Sequence, residues 1–155
     1  MSAFSFTIRA EATICAPPDT VFGVLVAFDR YAEWATQLVH HGGTPALGGT
    51  IDLEMRAGRT HFRFQPTIVA LESGRRFTWR QRTGLPGVFD GEHAFVLEPL
   101  PGGATRLINT ETYSGVLAPM VRRLPMMRDA PAGFAQFNHE LRARAEQLAR
   151  PAADG

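Results

Sequence analysis

Through the first two-thirds of this chain apolar and polar residues change places one by one, and in the last third apolar residues recur at helical spacing. Single-residue alternation sends successive side chains to opposite faces of a strand, so it predicts strands with one buried face. From Ser5 to Cys15, the residues Phe6, Ile8, Ala10, Ala12 and Ile14 form the inward set against Thr7, Arg9, Glu11 and Thr13. Ile51, Leu53 and Met55 repeat the pattern, as do Phe62 and Phe64 within His61 to Leu71. Gly58 turns the first of these segments into the second, and Pro66, which has no N–H to donate, predicts a bulge or an edge position. After the Ser73-Gly74 turn, Phe77, Trp79 and Gln81 alternate with arginines and Thr78.

The most informative stretch runs from Gly84 to Gly115. Phe89, Gly91, His93, Phe95 and Leu97 share one face of its first arm, and Thr105, Leu107, Asn109, Glu111 and Tyr113 share one face of the second. Pro99 to Gly103 supplies the turn between them, with two glycines free to take positive φ. Pairing across that turn sets His93 opposite Asn109 or Glu111, depending on register.

Helical signals bracket the strands. Pro17-Pro18-Asp19 ends the first strand and opens a helix carrying Val21, Phe22, Val24, Leu25 and Phe28, since proline suits the first helical turn and Asp its dipole. Asp29 is placed to cap a second short helix with Tyr31 and Trp34. Gly42-Gly43 and Gly48-Gly49 punctuate a loop that also takes in His40-His41. Pro119, Pro125 and Pro131 divide Leu117 to Ala132 into short pieces, because an interior proline costs a helix hydrogen bond. From about Pro131 to about Ala149 a long helix is expected. Phe134, Phe137, Leu141, Ala145 and Leu148 form its apolar stripe, with Glu140–Arg144 and Arg142–Glu146 as i,i+4 pairs outside. Strands joined without helices pair antiparallel, and the final helix can cover their apolar face. The expected architecture is α+β: one domain over residues 1–150, a curved antiparallel sheet around a long C-terminal helix, and a flexible tail over residues 151–155.

Composition narrows the function. With 45% apolar and 20% charged residues, the chain can bury a substantial core. A net charge of +1 gives no chain-wide electrostatic attraction for nucleic acid or an anionic membrane. The run Val21 to Phe28 is too short to span a bilayer, so no integral membrane association is expected. The N-terminal stretch carries Arg9 and Glu11 and does not read as a signal peptide. Cys15 is alone, which rules out an intrachain disulfide and fits a cytoplasmic location.

Candidate chemistry centres on His93 and Glu111. His40, His41, His61 and His139 have no metal-ligand spacing among them, so neither a metal nor a cofactor is expected. His93 is flanked by inward-facing neighbours, and Glu111 is a carboxylate on a mostly apolar face. A core histidine satisfied by Glu111, Asn109 or a backbone carbonyl is one account of it, a ligand-orienting group a second, and an acid/base catalyst a third. Trp34, Met55, Phe62, Phe64, Trp79, Phe89, Tyr113, Phe134 and Phe137 pack a core or line a hydrophobic pocket, with Met120 in the proline-rich segment at its mouth. No Ser-His-Asp order, nucleophile elbow or Gly-rich phosphate loop is present.

The order of elements, with Ile14-Cys15-Ala16-Pro17-Pro18-Asp19-Thr20-Val21-Phe22, Tyr31-Ala32-Glu33-Trp34, Phe77-Thr78-Trp79, Gly91-Glu92-His93-Ala94-Phe95, Thr105-Arg106-Leu107 and Glu111-Thr112-Tyr113-Ser114-Gly115, resembles the START-like superfamily. Within it the chain is most similar to the polyketide cyclase/dehydrase-like (SRPBCC) group, over nearly its whole length. Trp34-Ala35-Thr36 stands where that group usually has Trp-Asn-Pro. The resemblance implies a START/Bet v 1-like helix-grip fold with a cavity between sheet and helix. It implies binding of a small hydrophobic, lipid-like or aromatic polyketide-like molecule by a monomer or homodimer. The alternative is a cyclase/dehydratase-type enzyme using His93 and Glu111 as acid and base.

Overall fold

The computed structural model describes residues 3–151, which contain eight strands. They are β1 (Ser5–Ile14), β2 (Leu38–Gly42), β3 (Asp52–Ala57), β4 (Thr60–Phe64), β5 (Thr67–Glu72), β6 (Arg76–Thr83), β7 (Phe89–Leu100) and β8 (Ala104–Ser114). Five of them make an antiparallel sheet in the order β1-β8-β7-β6-β5, and β2-β3-β4 make a second. A Thr50–Thr67 bridge, with backbone bonds Gly48 N–H to Ile68 O and Ile51 N–H to Pro66 O, carries one sheet into the other.

Two strand expectations change. His61 to Leu71 is two strands, because Pro66 offers no ladder donor and the chain crosses there from the small sheet to the large one. His40 and His41 lie on β2, paired with β3, and not in a loop. That strand is five residues of mixed polarity ending at Gly42, too short and irregular to alternate visibly.

The helices are α1 (Pro18–Val26), a 3₁₀ turn at Phe28–Glu33, α2 (Ala118–Val121) and α3 (Pro125–Ala149). Pro17 precedes α1 and its carbonyl accepts the N–H of Thr20 and Val21. Asp29 makes no capping hydrogen bond: the 3₁₀ helix begins at Phe28, which puts Asp29 inside its first turn. The long helix starts six residues before its expected Pro131. Pro125 occupies the first turn, where no N–H is needed, and Pro131 rides inside the helix on an exposed face where water can reach the carbonyl it leaves unbonded.

Phe137, Leu141 and Ala145 of α3 are buried against β1 and α1, as the stripe requires. Leu148, expected in the same stripe, is exposed because the last turn outruns the packed layers. Of the two expected i,i+4 pairs only Arg142–Glu146 forms. Glu140 accepts from the backbone and hydroxyl of Thr36, and Arg144 pairs with Glu33, so both side chains hold the helix to the rest of the fold. Glu146 also accepts the Cys15 N–H at 2.9 Å, tying the end of β1 to α3. These bonds fix where α3 lies across the sheet, and so what can face His93.

Between sheet and helix sits a continuous core that includes Ile14, Leu25, Phe28, Tyr31, Phe77, Trp79, Phe95, Leu107 and Leu141. Each such side chain contributes about 1.5–3 kcal/mol by leaving water. Gly115 makes the exit from β8 possible. Its φ is +120°, and a Cβ there would meet the Val88 carbonyl oxygen at 2.5 Å and the Gly87 oxygen at 2.9 Å. The expected tail lies, from residue 152 onward, outside the described residues.

Candidate functional site

β7 and β8 pair in the register His93–Glu111, with Phe95–Asn109 as the next inward pair. Both register options therefore contribute. His93 Nδ1 stands 3.6 Å from Glu111 Oε2, while Nε2 donates to Asn109 Oδ1 at 2.6 Å. Asn109 Nδ2 passes the chain on to Asn138 Oδ1 of α3 at 2.8 Å. The result is a line of polar side chains, Glu111–His93–Asn109–Asn138, running from sheet to helix. His93, Asn109 and Asn138 are buried, and Glu111 is partly so.

Aromatic rings enclose this line. The His93 ring lies 4.6 Å from Phe95, 4.9 Å from Trp79 and 5.1 Å from Phe134, the last stacked at 20°. Phe137 meets Phe95 at 5.6 Å and Trp34 at 5.4 Å. Beyond Glu111, Tyr113 stacks on Phe89 at 5.5 Å and on Phe6 at 5.0 Å. Gly91 makes room there: a Cβ would stand 3.4 Å from both Glu111 Oε1 and the Tyr113 ring. Burial, followed by the neighbouring Glu111 carboxylate, pushes the Tyr113 phenol above its usual range.

Of the side chains expected to line a pocket, His93, Glu111, Trp79, Phe134, Phe137, Trp34, Phe89 and Tyr113 thus form one connected group. Met55 and Phe64 are half-buried against the core from the small sheet. Phe62 is 41% exposed on β4, the edge strand of that sheet, and Met120 is 59% exposed on α2. Neither belongs to the group around His93. The Phe134 ring of α3 stacks directly against His93. Two surface depressions, of about 330 and 410 Å³, lie elsewhere. The first is lined by Phe6, Pro119, Arg122 and Arg123, the second by Arg80, Arg82, Asp90 and Glu92 on the outer sheet face.

Asn138 is the residue that inspection of the strands misses. It was legible, because it falls at helical spacing with Phe134 and Leu141 and is the one amide on that stripe. Its Nδ2 is buried and has no hydrogen-bond partner among the described residues, and the same holds for Trp34 Nε1. Buried donors are nearly always satisfied, so these two are groups an acceptor could complete.

The other histidines lie elsewhere. His41 Nε2 and His61 Nδ1 flank Glu54 on the small sheet at 2.8 and 3.5 Å. Arg56, then His41, holds the Glu54 carboxyl down to about 2. Among the described residues no group of three or more His, Cys, Asp or Glu is arranged to hold a metal ion.

The profile of the polyketide cyclase/dehydrase and lipid transport family matches residues 5–149. No curated protein sequence matches the chain significantly. Among solved structures, the Zhui aromatase/cyclase from Streptomyces sp. R1128 superposes with a TM-score of 0.78 at 19% identity, covering 97% of this chain and 99% of that one. A protein from Thermus thermophilus gives 0.69 at 18% identity over 94% of this chain and 100% of its own. Norcoclaurine synthase from Thalictrum flavum, a point mutant with a transition-state analogue, gives 0.70 at 11% identity over 96% and 98%. At these identities the likeness establishes the helix-grip fold and nothing finer.

Proposed function

This chain belongs to the polyketide cyclase/dehydrase and lipid transport family, and from that premise we propose that it binds a small hydrophobic molecule between the sheet and α3, with an acceptor oxygen of the guest on Asn138 Nδ2. The observation that carries this reading is the buried polar chain ending in an unpaired amide donor inside an aromatic wall. An apolar guest replaces the Phe134 ring in contact with His93 and Trp79. Its oxygen then completes a donor that is otherwise desolvated at a cost of about 1–3 kcal/mol. A cytoplasmic setting fits the unpaired Cys15.

A pair of probes of nearly equal shape tests the reading: 2-acetylnaphthalene, which carries a carbonyl, and 2-isopropenylnaphthalene, which has a methylene in place of the carbonyl oxygen. Calorimetry is expected to give one-to-one binding of both, with the ketone tighter by about tenfold, the worth of one good hydrogen bond. Asn138→Leu removes that preference and leaves the hydrocarbon unchanged. Failure of either probe to bind the folded protein overturns the proposal, and equal affinities overturn the role given to Asn138.

The His93–Glu111 approach of 3.6 Å supports a second reading, in which the pair acts as acid and base on a bound polyketide-like substrate. A proton on either atom makes that contact attractive, and the two can pass it between them. On this reading His93→Gln and Glu111→Gln each remove turnover while probe affinity changes little. Unchanged turnover in both variants would refute it.

A further inference from the structure

Where β8 leaves the sheet, three separate pieces of chain meet. Gly115 N–H donates to Phe4 O at 3.0 Å, Val116 N–H to Gly87 O at 3.0 Å and Leu117 N–H to Val88 O at 3.1 Å. The approach to β1, the β6–β7 loop and the segment leading through α2 therefore share one end of the molecule. That end turns its apolar side chains outward: Phe4, Leu85, Val116, Met120, Leu124 and Met126 are all exposed, from 41% for Leu124 to 76% for Leu85. Single exposed apolar residues are ordinary, but a cluster drawn from three segments marks an interaction surface.

Basic residues stand among them. Arg122, Arg123 and Arg128 come from the same segment, in which Asp129 is the one acidic residue between Gly115 and Ala132. Elsewhere Arg9, Arg30, Arg56, Arg63, Arg80, Arg82, Arg106, Arg142 and Arg144 each meet a carboxylate. Among the described residues Arg122, Arg123 and Arg128 do not, and neither do Arg59, Arg75, Arg76 and Arg150, but the first three stand together in one segment of exposed apolar residues. Arg122 lies 6.0 Å over the Phe6 ring, beside the depression of about 330 Å³ that Arg123 also lines. The chain-wide charge of +1 hides this local excess.

We propose that this end of the molecule docks on the surface of an anionic phospholipid bilayer. Leu85, Val116, Met120 and Leu124 protrude from turns and a one-turn helix and Met126 from the first turn of α3, and together they present no matched groove to a protein partner. A fluid acyl boundary accommodates them without shape complementarity. The guanidiniums at their bases then sit at headgroup level, where they hydrogen-bond phosphates and are drawn by the surface potential. Attachment is peripheral: no helix among the described residues is long and apolar enough to cross a membrane. The inference does not depend on what the interior binds.

Co-sedimentation of the full chain with vesicles tests it directly. Mixed phosphatidylglycerol and phosphatidylcholine vesicles are expected to carry the protein down, phosphatidylcholine alone is not, and raising the salt releases it. Changing Arg122, Arg123 and Arg128 together to Gln lowers the partition about 100-fold, at roughly fivefold for each guanidinium. Met120→Ser with Leu124→Ser lowers it about tenfold, while circular dichroism stays native because both side chains are exposed. The proposal is overturned if anionic vesicles leave the protein in the supernatant, or if both variants sediment like the parent. Binding to a soluble polyanion such as heparin without binding to vesicles overturns it as well, since a protein or polyanion site would then be indicated.

Discussion

Asn109 is the keystone of the buried polar chain, and replacing it by Leu, of nearly the same shape, isolates what the chain contributes. Asn109 accepts from His93 Nε2 at 2.6 Å and donates to Asn138 Oδ1 at 2.8 Å, with all three residues buried. Asn109→Leu strands one donor and one acceptor, at about 1–3 kcal/mol each, so the fold loses about 2–6 kcal/mol. Asn138→Leu behaves differently. It strands Asn109 Nδ2 but also deletes an amide nitrogen that has no partner among the described residues, so its two effects offset and the cost is about zero. The double variant strands only His93 Nε2 and deletes the same unpaired nitrogen, so it too costs about zero and is more stable than Asn109→Leu alone. Subtracting both single changes from the double leaves a coupling of about −2 to −6 kcal/mol. Urea unfolding of the four proteins measures it, and the parallel thermal shift for Asn109→Leu is about 4 to 24 °C at this chain length. If the changes add to within about 0.5 kcal/mol, the chain of hydrogen bonds does not act as a unit. If Asn138→Leu costs as much as Asn109→Leu, the unpaired amide is not unpaired, and its assigned role falls with it.

Tyr31 and Tyr113 are the chain's two tyrosines, and burial raises both phenols above their ordinary range. A raised folded value means that only the unfolded chain releases these protons near pH ~10, so their contribution is complete below that pH and declines as pH climbs above it. Ultraviolet difference titration is expected to show no phenolate until the protein unfolds, both tyrosines then ionising together. A phenolate step in the folded protein near the ordinary value would contradict the packing described for Tyr113. Gly115→Ala forces a Cβ onto the Val88 carbonyl at φ +120° and is expected to lower stability by about 1–3 kcal/mol or more. Chemical denaturation measures this, and a loss below about 0.5 kcal/mol would mean that the β8 exit relaxes freely.

The architecture was carried by local pattern. Alternation in Ser5 to Cys15, in Phe77 to Arg82 and in both arms of Gly84 to Gly115 depends only on which residues are apolar, and a half-buried strand has to place them that way. The same pattern put His93 and Glu111 on the inward face before any contact was known. The limits of sequence appear where a long-range partner decides. Leu38–Gly42 becomes a strand because β3 lies beside it, and its own residues alternate too briefly to say so. Pro131 reads as a break, yet α3 runs through it, because packing on the buried side sustains the helix while the proline faces water. Glu140 and Arg144 have ideal helical spacing for each other, but Thr36 and Glu33 are offered by the tertiary fold and take them instead. Register alone left Asn109 and Glu111 as rival partners of His93, and the folded ring, with a nitrogen on each side, meets both. Asn138 could be named from its place on the apolar stripe. That it closes a polar chain with a donor to spare depends on how α3 settles on the sheet, which no stretch of sequence encodes by itself.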